Sequence, residues 1–287
     1  MANLKEIRNR ISSVESTMQI TSAMKMVSAA KLKRAQDAIV QLRPYANKLT
    51  EMLVNLSASL DSADGNNFSK AREVKNILFL SITSNRGLCG GFNSNIIKQT
   101  ASLINNEYKN CNAAIISVGK KSSEYFSKNE FNVINTYDDL YNDITFERVV
   151  EIAETVMSDF TQGKYDKVIL IYNQFKNAAT QIVMKENYLP VQTLDDENAS
   201  IGDYIFEPSK EEIVQELIPK SLKTQLFKAI LDSHASEHGA RMTAMHKATD
   251  NANDLKDDLT LFYNKARQAA ITGEILEIVG GAEALND

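Results

Sequence analysis

Two stretches of this chain carry residue types and spacings that could do chemistry. In the first, Ser84-Asn85-Arg86-Gly87-Leu88-Cys89-Gly90-Gly91-Phe92-Asn93, a glycine-rich loop joins the apolar run "NILFLSIT" to the helix-like "NSNIIKQTASLINN". Backbone N–H groups in such a loop commonly cradle a phosphate. The second, His234-Ala235-Ser236-Glu237-His238, matches the H-x-x-E-H pattern of inverted zinc peptidases and puts both imidazoles on one helix face at i and i+4.

Neither stretch completes its chemistry. A dinucleotide fingerprint requires G-x-G-x-x-G and an acidic residue after the second strand, and a P-loop requires G-x-x-x-x-G-K followed by Ser or Thr. Here the loop reads G-x-x-G-G without lysine, and the second strand-like run ends in Val118-Gly119-Lys120-Lys121. Arg86, Gly87, Gly90 and Gly91 are therefore expected to form a structural loop, with the glycines permitting positive φ and close helix-to-strand packing. His234 and His238 fall on a heptad seam and read as polar residues that fix its register. The sequence assigns no catalytic residue, no metal and no cofactor.

The elements around these stretches have two grammars. From Leu4, the residues Ile7, Ile11, Val14 and Met18 recur at spacings of three and four, and the register resumes at Leu32, Ala35, Ile39, Leu42, Ala46, Leu49, Leu53, Leu56 and Leu60. Toward the other end, Ser209 with Glu212 forms a capping box. Past Pro219 the alternation returns through Phe227, Leu231, His234, His238, Arg241, Met245, Ala248, Ala252, Leu255, Leu259, Phe262, Ala266 and Ala269, ending near Gly280-Gly281. Between the two lie the strand-like runs "VKNILFLSIT", "NAAIISVG", "FNVINTY", "KVILIYNQF" and "TQIVMKENYLPV", the last a hairpin partner of the fourth, with helix-like stretches between the earlier ones. The predicted architecture is α/β: a long antiparallel α-helical coiled coil formed by the N-terminal helix (1–62) and the C-terminal helix (209–287). Inserted in it is a Rossmann-like, mostly parallel α/β domain at 74–192.

Composition excludes several classes. The chain has 287 residues and a net charge of −5, so it offers no whole-protein attraction to nucleic acid. Its first fifty residues are nonetheless basic, with Lys5, Arg8, Arg10, Lys25, Lys31, Lys33, Arg34, Arg43 and Lys48 against Glu6, Glu15 and Asp37. That bias suits an acidic partner surface. The two cysteines, Cys89 and Cys111, have no metal or redox spacing. No apolar run reaches the roughly 18 residues of a spanning helix, so a membrane link is expected to go through partners.

The first helix departs from its seam at positions 21, 25 and 28, which hold Thr21, Lys25 and Ser28, while Ile20, Met24 and Val27 carry the apolar side chains beside them. A helix apolar on several faces implies a surrounding partner. The stretch "AAITGEILEIVGGAEAL" repeats the signal with Ile271, Ile275, Leu276, Ile278, Val279 and Leu285.

The blocks "IRNRISSVESTMQITSAMKMVSAAKLKRAQ", "SNRGLCGGFN", "SEHGARMTAMHKATDNA" and "LTLFYNKARQAAITGEILEIVGGAEAL" resemble the signature blocks of the gamma subunits of F-type ATP synthases, over nearly the whole chain. The family commonly carries aspartate where Asn85 stands. The resemblance implies a central-stalk rotor that couples ion flow through the membrane sector to ATP synthesis or hydrolysis on the beta subunits, without being catalytic itself. The implied partners are the alpha and beta subunits of the catalytic hexamer, the epsilon subunit and the membrane c-ring.

By the same resemblance, Arg267 and Gln268, with Thr272 one turn on, face the beta-subunit catch loops, while Met24 and Lys25, flanked by Ile20 and Val27, face the acidic lever segment. Arg8 and Arg10 assist from the same shaft. A transit peptide is missing, as is the cysteine-bearing insert of chloroplast versions, so a bacterial, peripheral position on the cytoplasmic face of the inner membrane is expected. Rival readings are a zinc enzyme and a freestanding coiled-coil scaffold, distinguished by stoichiometric metal and by a stable homodimer respectively.

Overall fold

The structure is a computed structural model that describes residues 4–57, 68–69, 72–191 and 210–283. Its elements run α1 (Leu4–Ser57), β1 (Asn76–Ile82), α2 (Phe92–Ser102), β2 (Asn112–Val118), α3 (Lys120–Lys128), β3 (Val133–Thr136), α4 (Phe146–Thr161), β4 (Lys167–Phe175), β5 (Gln181–Leu189) and α5 (Lys210–Glu283). A π-turn at Leu103–Glu107 ends α2, and a 3-10 turn at Asp139–Asn142 precedes α4. The capping residue expected at Ser209 lies outside the described residues. α5 ends at Glu283, close to the expected Gly280-Gly281, and Pro44 and Pro219 lie inside α1 and α5.

The chain divides into two compact units, Ala29–Arg241 and a second made of Met1–Ser28 with Met242–Asp287. In the first, the strands form one sheet of order β3-β2-β1-β4-β5. β1 pairs in parallel with β2 and β4, β2 in parallel with β3, and β5 closes the edge antiparallel to β4. The turn between β4 and β5 is held by Asn177, whose Oδ1 accepts the N–H groups of Ala179 at 3.0 Å and Thr180 at 2.7 Å.

Parallel strands covered on both faces read as continuous apolar runs, which is why β1 and β4 were recognisable without alternation. Their alternate side chains feed two cores. Leu78, Leu80, Ile116, Leu170 and Tyr172 pack with Val149, Ile152, Val156 and Phe160 of α4 and with Leu222, Leu226 and Ile230 of α5. On the opposite face Ile77, Phe79, Ile115, Ile169 and Ile171 pack with Ile96 and Ile97 of α2 and Phe126 of α3. Each such fully buried side chain contributes about 1.5–3 kcal/mol, so this sheet is the stable frame of the unit.

The second unit pairs the ends of α1 and α5. Arg8 Nη2 donates to Tyr263 Oη at 2.7 Å, Lys256 Nζ lies 3.1 Å from Glu15 Oε1, the Thr21 and Thr249 hydroxyls are 2.8 Å apart, and Lys25 Nζ is 3.3 Å from His246 Nδ1. Steps up α1 are matched by nearly equal steps down α5, so the two run antiparallel. The seam keeps Thr21, Ser28, Met245 and Ala252 buried. Leu255 and Phe262, expected on the seam, are exposed instead. The partners that face α1 there are Lys256 and Tyr263, because a straight helix of 3.6 residues per turn drifts off a strict seven-residue repeat. Among the described residues, no helix is long and apolar enough to cross a membrane.

Candidate functional site

In a sheet of this order the strand sequence reverses between β1 and β4, and the crevice beyond their carboxyl ends is where nucleotides bind in such folds. The loop after β1 lines that crevice. Gly90 has a φ of 59° and Leu88 one of 61°, the left-handed region that glycine adopts at no cost and leucine rarely does. Gly91 caps α2 at its N-terminus, with its backbone beside Asn95. Arg86 and Gly87 are exposed at the tip.

Four backbone donors around the crevice are already engaged. Ser84 N–H donates to Asn93 Oδ1 at 2.9 Å, and Lys120 N–H, at the start of α3, donates to Asn85 Oδ1 at 2.9 Å. Lys121 N–H donates to the Ser84 carbonyl at 3.1 Å, and Ser122 N–H to Thr83 Oγ1 at 3.0 Å. Gly119 sits so close to β1 that a Cβ there would lie 2.2 Å from the Thr83 carbonyl oxygen.

The crevice itself holds α5. Ser236 Oγ donates to the Asn173 carbonyl at 3.0 Å, and a Cβ on Gly239 would lie 3.1 Å from Ala178 Cα. Ala240 packs with Cys89 and Phe92. Arg241 reaches the loop after β1, donating through Nη2 to the carbonyls of Arg86 and Gly87 at 3.2 Å each and through Nη1 to Glu237 at 2.6 Å. Both members of the Glu237–Arg241 pair are buried, and burial raises the Glu237 carboxyl against the pull of Arg241. Cys89 is buried here as a free thiol whose pKa is raised by burial, which makes it a poor nucleophile. These contacts fix a helix and a loop to two strand ends.

His234 and His238 adjoin this seat. Their rings meet edge to face with centroids 4.5 Å apart, and His234 stacks on Tyr141 at 5.9 Å. The pair therefore packs against the sheet unit, where the sequence placed it on the helix seam alone. Burial pushes His234 down to about 4 and His238 to about 3, so both are neutral. Among the described residues, no group of three or more His, Cys, Asp or Glu side chains could hold a metal ion.

The residues expected to meet partners lie on the other unit and fall into two patches. Ile20 is 60% and Val27 58% exposed, with Met24 and Lys25 half-buried between them. Arg267, Gln268 and Thr272 are exposed on α5 beyond Tyr263, alongside Ile271, Ile275, Leu276, Ile278 and Val279. Arg10 is exposed, while Arg8 is held by Tyr263, with its guanidinium 5.6 Å over that ring. Sequence reasoning missed Tyr263, His246, Asn173 and the seat role of Ser236. Gly239 did carry a readable signal, since an isolated glycine in a long helix usually marks a close approach.

Comparison with known proteins bears on these features. The family described as "ATP synthase" matches residues 3–285. The "ATP synthase gamma chain" of Christiangramia forsetii is 61% identical over 286 residues, covering 100% of each chain. That of Flavobacterium johnsoniae is 63% identical over 287 residues with the same coverage. Among solved structures, a chain of the Tetrahymena thermophila mitochondrial ATP synthase central stalk and c-ring aligns with a TM-score of 0.60 and 28% identity, covering 80% of this chain and 99% of that one. A chain of the Euglena gracilis mitochondrial OSCP/F1/c-ring assembly aligns with a TM-score of 0.70 and 25% identity, covering 98% and 94%.

Proposed function

The chain belongs to the ATP synthase gamma-chain family, and from that membership we propose that it turns as the central-stalk rotor inside a ring of alpha and beta subunits. In this role it makes or breaks no bond itself. One observation carries the reading: an antiparallel helix pair whose seam is closed by its own contacts still exposes Ile20, Val27, Ile275 and Ile278. A shaft standing in water would be polar on that surface, so the apolar side chains call for an enclosing sleeve.

A rotor biases several chemically identical sites only by touching each differently, because a conformational shift cannot exceed the differential interaction energy. The two exposed patches supply such asymmetry. Arg267, Gln268 and Thr272 are assigned to the catch loops of the beta subunits, where the planar guanidinium of Arg267 suits a carboxylate. Lys25, Met24, Ile20 and Val27, with Arg8 and Arg10 nearby, are assigned to the acidic lever segment. Arg8 acts there chiefly by fixing Tyr263 and so the seam. The α/β unit is assigned to the epsilon subunit and the c-ring, which places the protein peripherally on the cytoplasmic face of a bacterial inner membrane.

The test is reconstitution with alpha and beta subunits. ATP hydrolysis should become dependent on this chain. Full hydrolysis in its absence, or failure of the chain to join the hexamer, would overturn the assignment.

A further inference from the structure

The seat of α5 lies immediately before Met242, where the helix leaves the α/β unit on its way to Arg267. We propose that Asn173, Ser236 and Gly239 key α5 against the end of β4, so that together with Arg241 on the loop after β1 they stop the helix turning about its own axis while it carries load. This rests on the rotor reading above and adds to it the residues through which the sheet grips the shaft.

The geometry supplies the two separate lines of contact that such a key requires. Ser236 and Gly239, at i and i+3, share one face. On that face Ser236 Oγ donates to the Asn173 carbonyl, and the Gly239 backbone approaches Ala178 so closely that a Cβ, lying 3.1 Å from its Cα and 3.2 Å from its oxygen, would push the turn away by a few tenths of an ångström. Asn173 is itself anchored, because its buried amide donates to the Phe92 carbonyl at the start of α2, 3.1 Å away. Arg241 holds the carbonyls of Arg86 and Gly87 on the other side of the reversal between β1 and β4. A rod gripped along one line can roll, whereas one gripped at two strand ends cannot. The hydroxyl of Ser236 and the glycine are both poor choices for helix propensity alone, and both are explained by this contact.

The experiment uses the complete chain assembled with alpha and beta subunits and the membrane sector, and measures ions pumped per ATP hydrolysed. Ser236→Ala combined with Gly239→Ala should keep ATP hydrolysis within about twofold while lowering the pumping ratio at least twofold. Ser236→Thr, which restores the hydroxyl, should recover part of the loss when Gly239 is kept. Phe126→Leu, a cavity in the core between the sheet and α3, on the face that holds no α5 side chain, is the control for simple destabilisation and should lower the melting temperature without changing the ratio. An unchanged ratio in the double variant, or a ratio that falls equally in Phe126→Leu, overturns the key. If hydrolysis by the unsubstituted complex does not depend on the chain, it is the rotor reading that fails, and the two failures are separable.

Discussion

α5 passes through two opposite environments. From Ala229 to Arg241 every residue except the half-buried His234 is buried, and Ser236, Glu237 and Arg241 find hydrogen-bond partners within the chain. From Arg267 to Ala282 every residue except Ala270 and Gly273 is exposed, although Ile271, Ile275, Leu276, Ile278 and Val279 are apolar. The first stretch is completed by the protein itself and should answer to measurements of stability. The second leaves apolar side chains uncovered and should answer to measurements of turnover.

The sharpest way to break that contrast is Arg241→Ala, which leaves the Glu237 carboxylate buried without its cation and the Arg86 and Gly87 carbonyls without their donor. Breaking a buried pair from one side costs about 3–5 kcal/mol, to be read from the denaturant midpoint of the isolated chain. Glu237→Gln in the same chain should recover part of it. A change under about 0.5 kcal/mol would place Arg241 with the exposed stretch instead.

Next in size is a pH effect confined to the buried stretch. Unfolding returns His234 and His238 to their ordinary value of 6.5 from about 4 and about 3. Between those limits the unfolded chain binds more protons than the folded one. Their contribution is therefore fully present above pH 6.5 and is lost as pH falls through 6.5 toward 4 and 3. At ~1.4 kcal/mol per pH unit the His234 share is about 3–4 kcal/mol. The raised carboxyls of Asp232 and Glu237 work in the opposite sense at the acid end. Unfolding titrations of His234→Leu should show a shallower slope between pH 6.5 and 4, and an unchanged slope would mean that the ring is hydrated in the folded state.

For the exposed stretch the readout is exchanged. Arg267→Ala should alter stability by less than about 0.5 kcal/mol. In the reconstituted complex it should nonetheless lower turnover roughly tenfold, since a charge-assisted contact worth about 1.5–3 kcal/mol in one rotational state changes the rate by that order. Arg267→Lys should keep assembly and lose less. Normal rates in Arg267→Ala would remove this residue from the catch. The smallest effect is expected at Thr21→Val, which removes one hydroxyl from a half-polar seam and should cost about 1 kcal/mol, measured by thermal unfolding.

Much of this division was legible in the sequence. β1, β2 and β4 announced themselves as continuous apolar runs because helices cover both faces of a parallel sheet, and β5 as a hairpin strand because it follows β4 across a short polar turn. The exposed patch at Ile20 and Val27 was legible because the seam positions beside it held Thr21 and Ser28. What periodicity could not convey is the identity of the surface that a buried face meets. His234, His238 and Arg241 read as a continuation of a helix seam, and only the folded chain puts them against the sheet. The glycine-rich loop taught the same lesson at atomic scale. In the sequence Arg86 groups with the loop glycines, whereas what the structure uses of it is its carbonyl, and a backbone acceptor leaves no trace in residue type.

The antiparallel pairing of Arg8 with Tyr263 joins residues 255 apart in the chain, and this orders the events of folding. Contacts that distant close at an entropic cost growing as (3/2)RT ln n, and a chain in which Ala29–Arg241 has already folded has only about 40 residues left to close before Arg8 meets Tyr263. The saving is about 1.5 kcal/mol in barrier. The sheet therefore acts as a splint during synthesis as well as a frame afterwards. The first 28 residues, made earliest, wait for the last 46 before they have a partner.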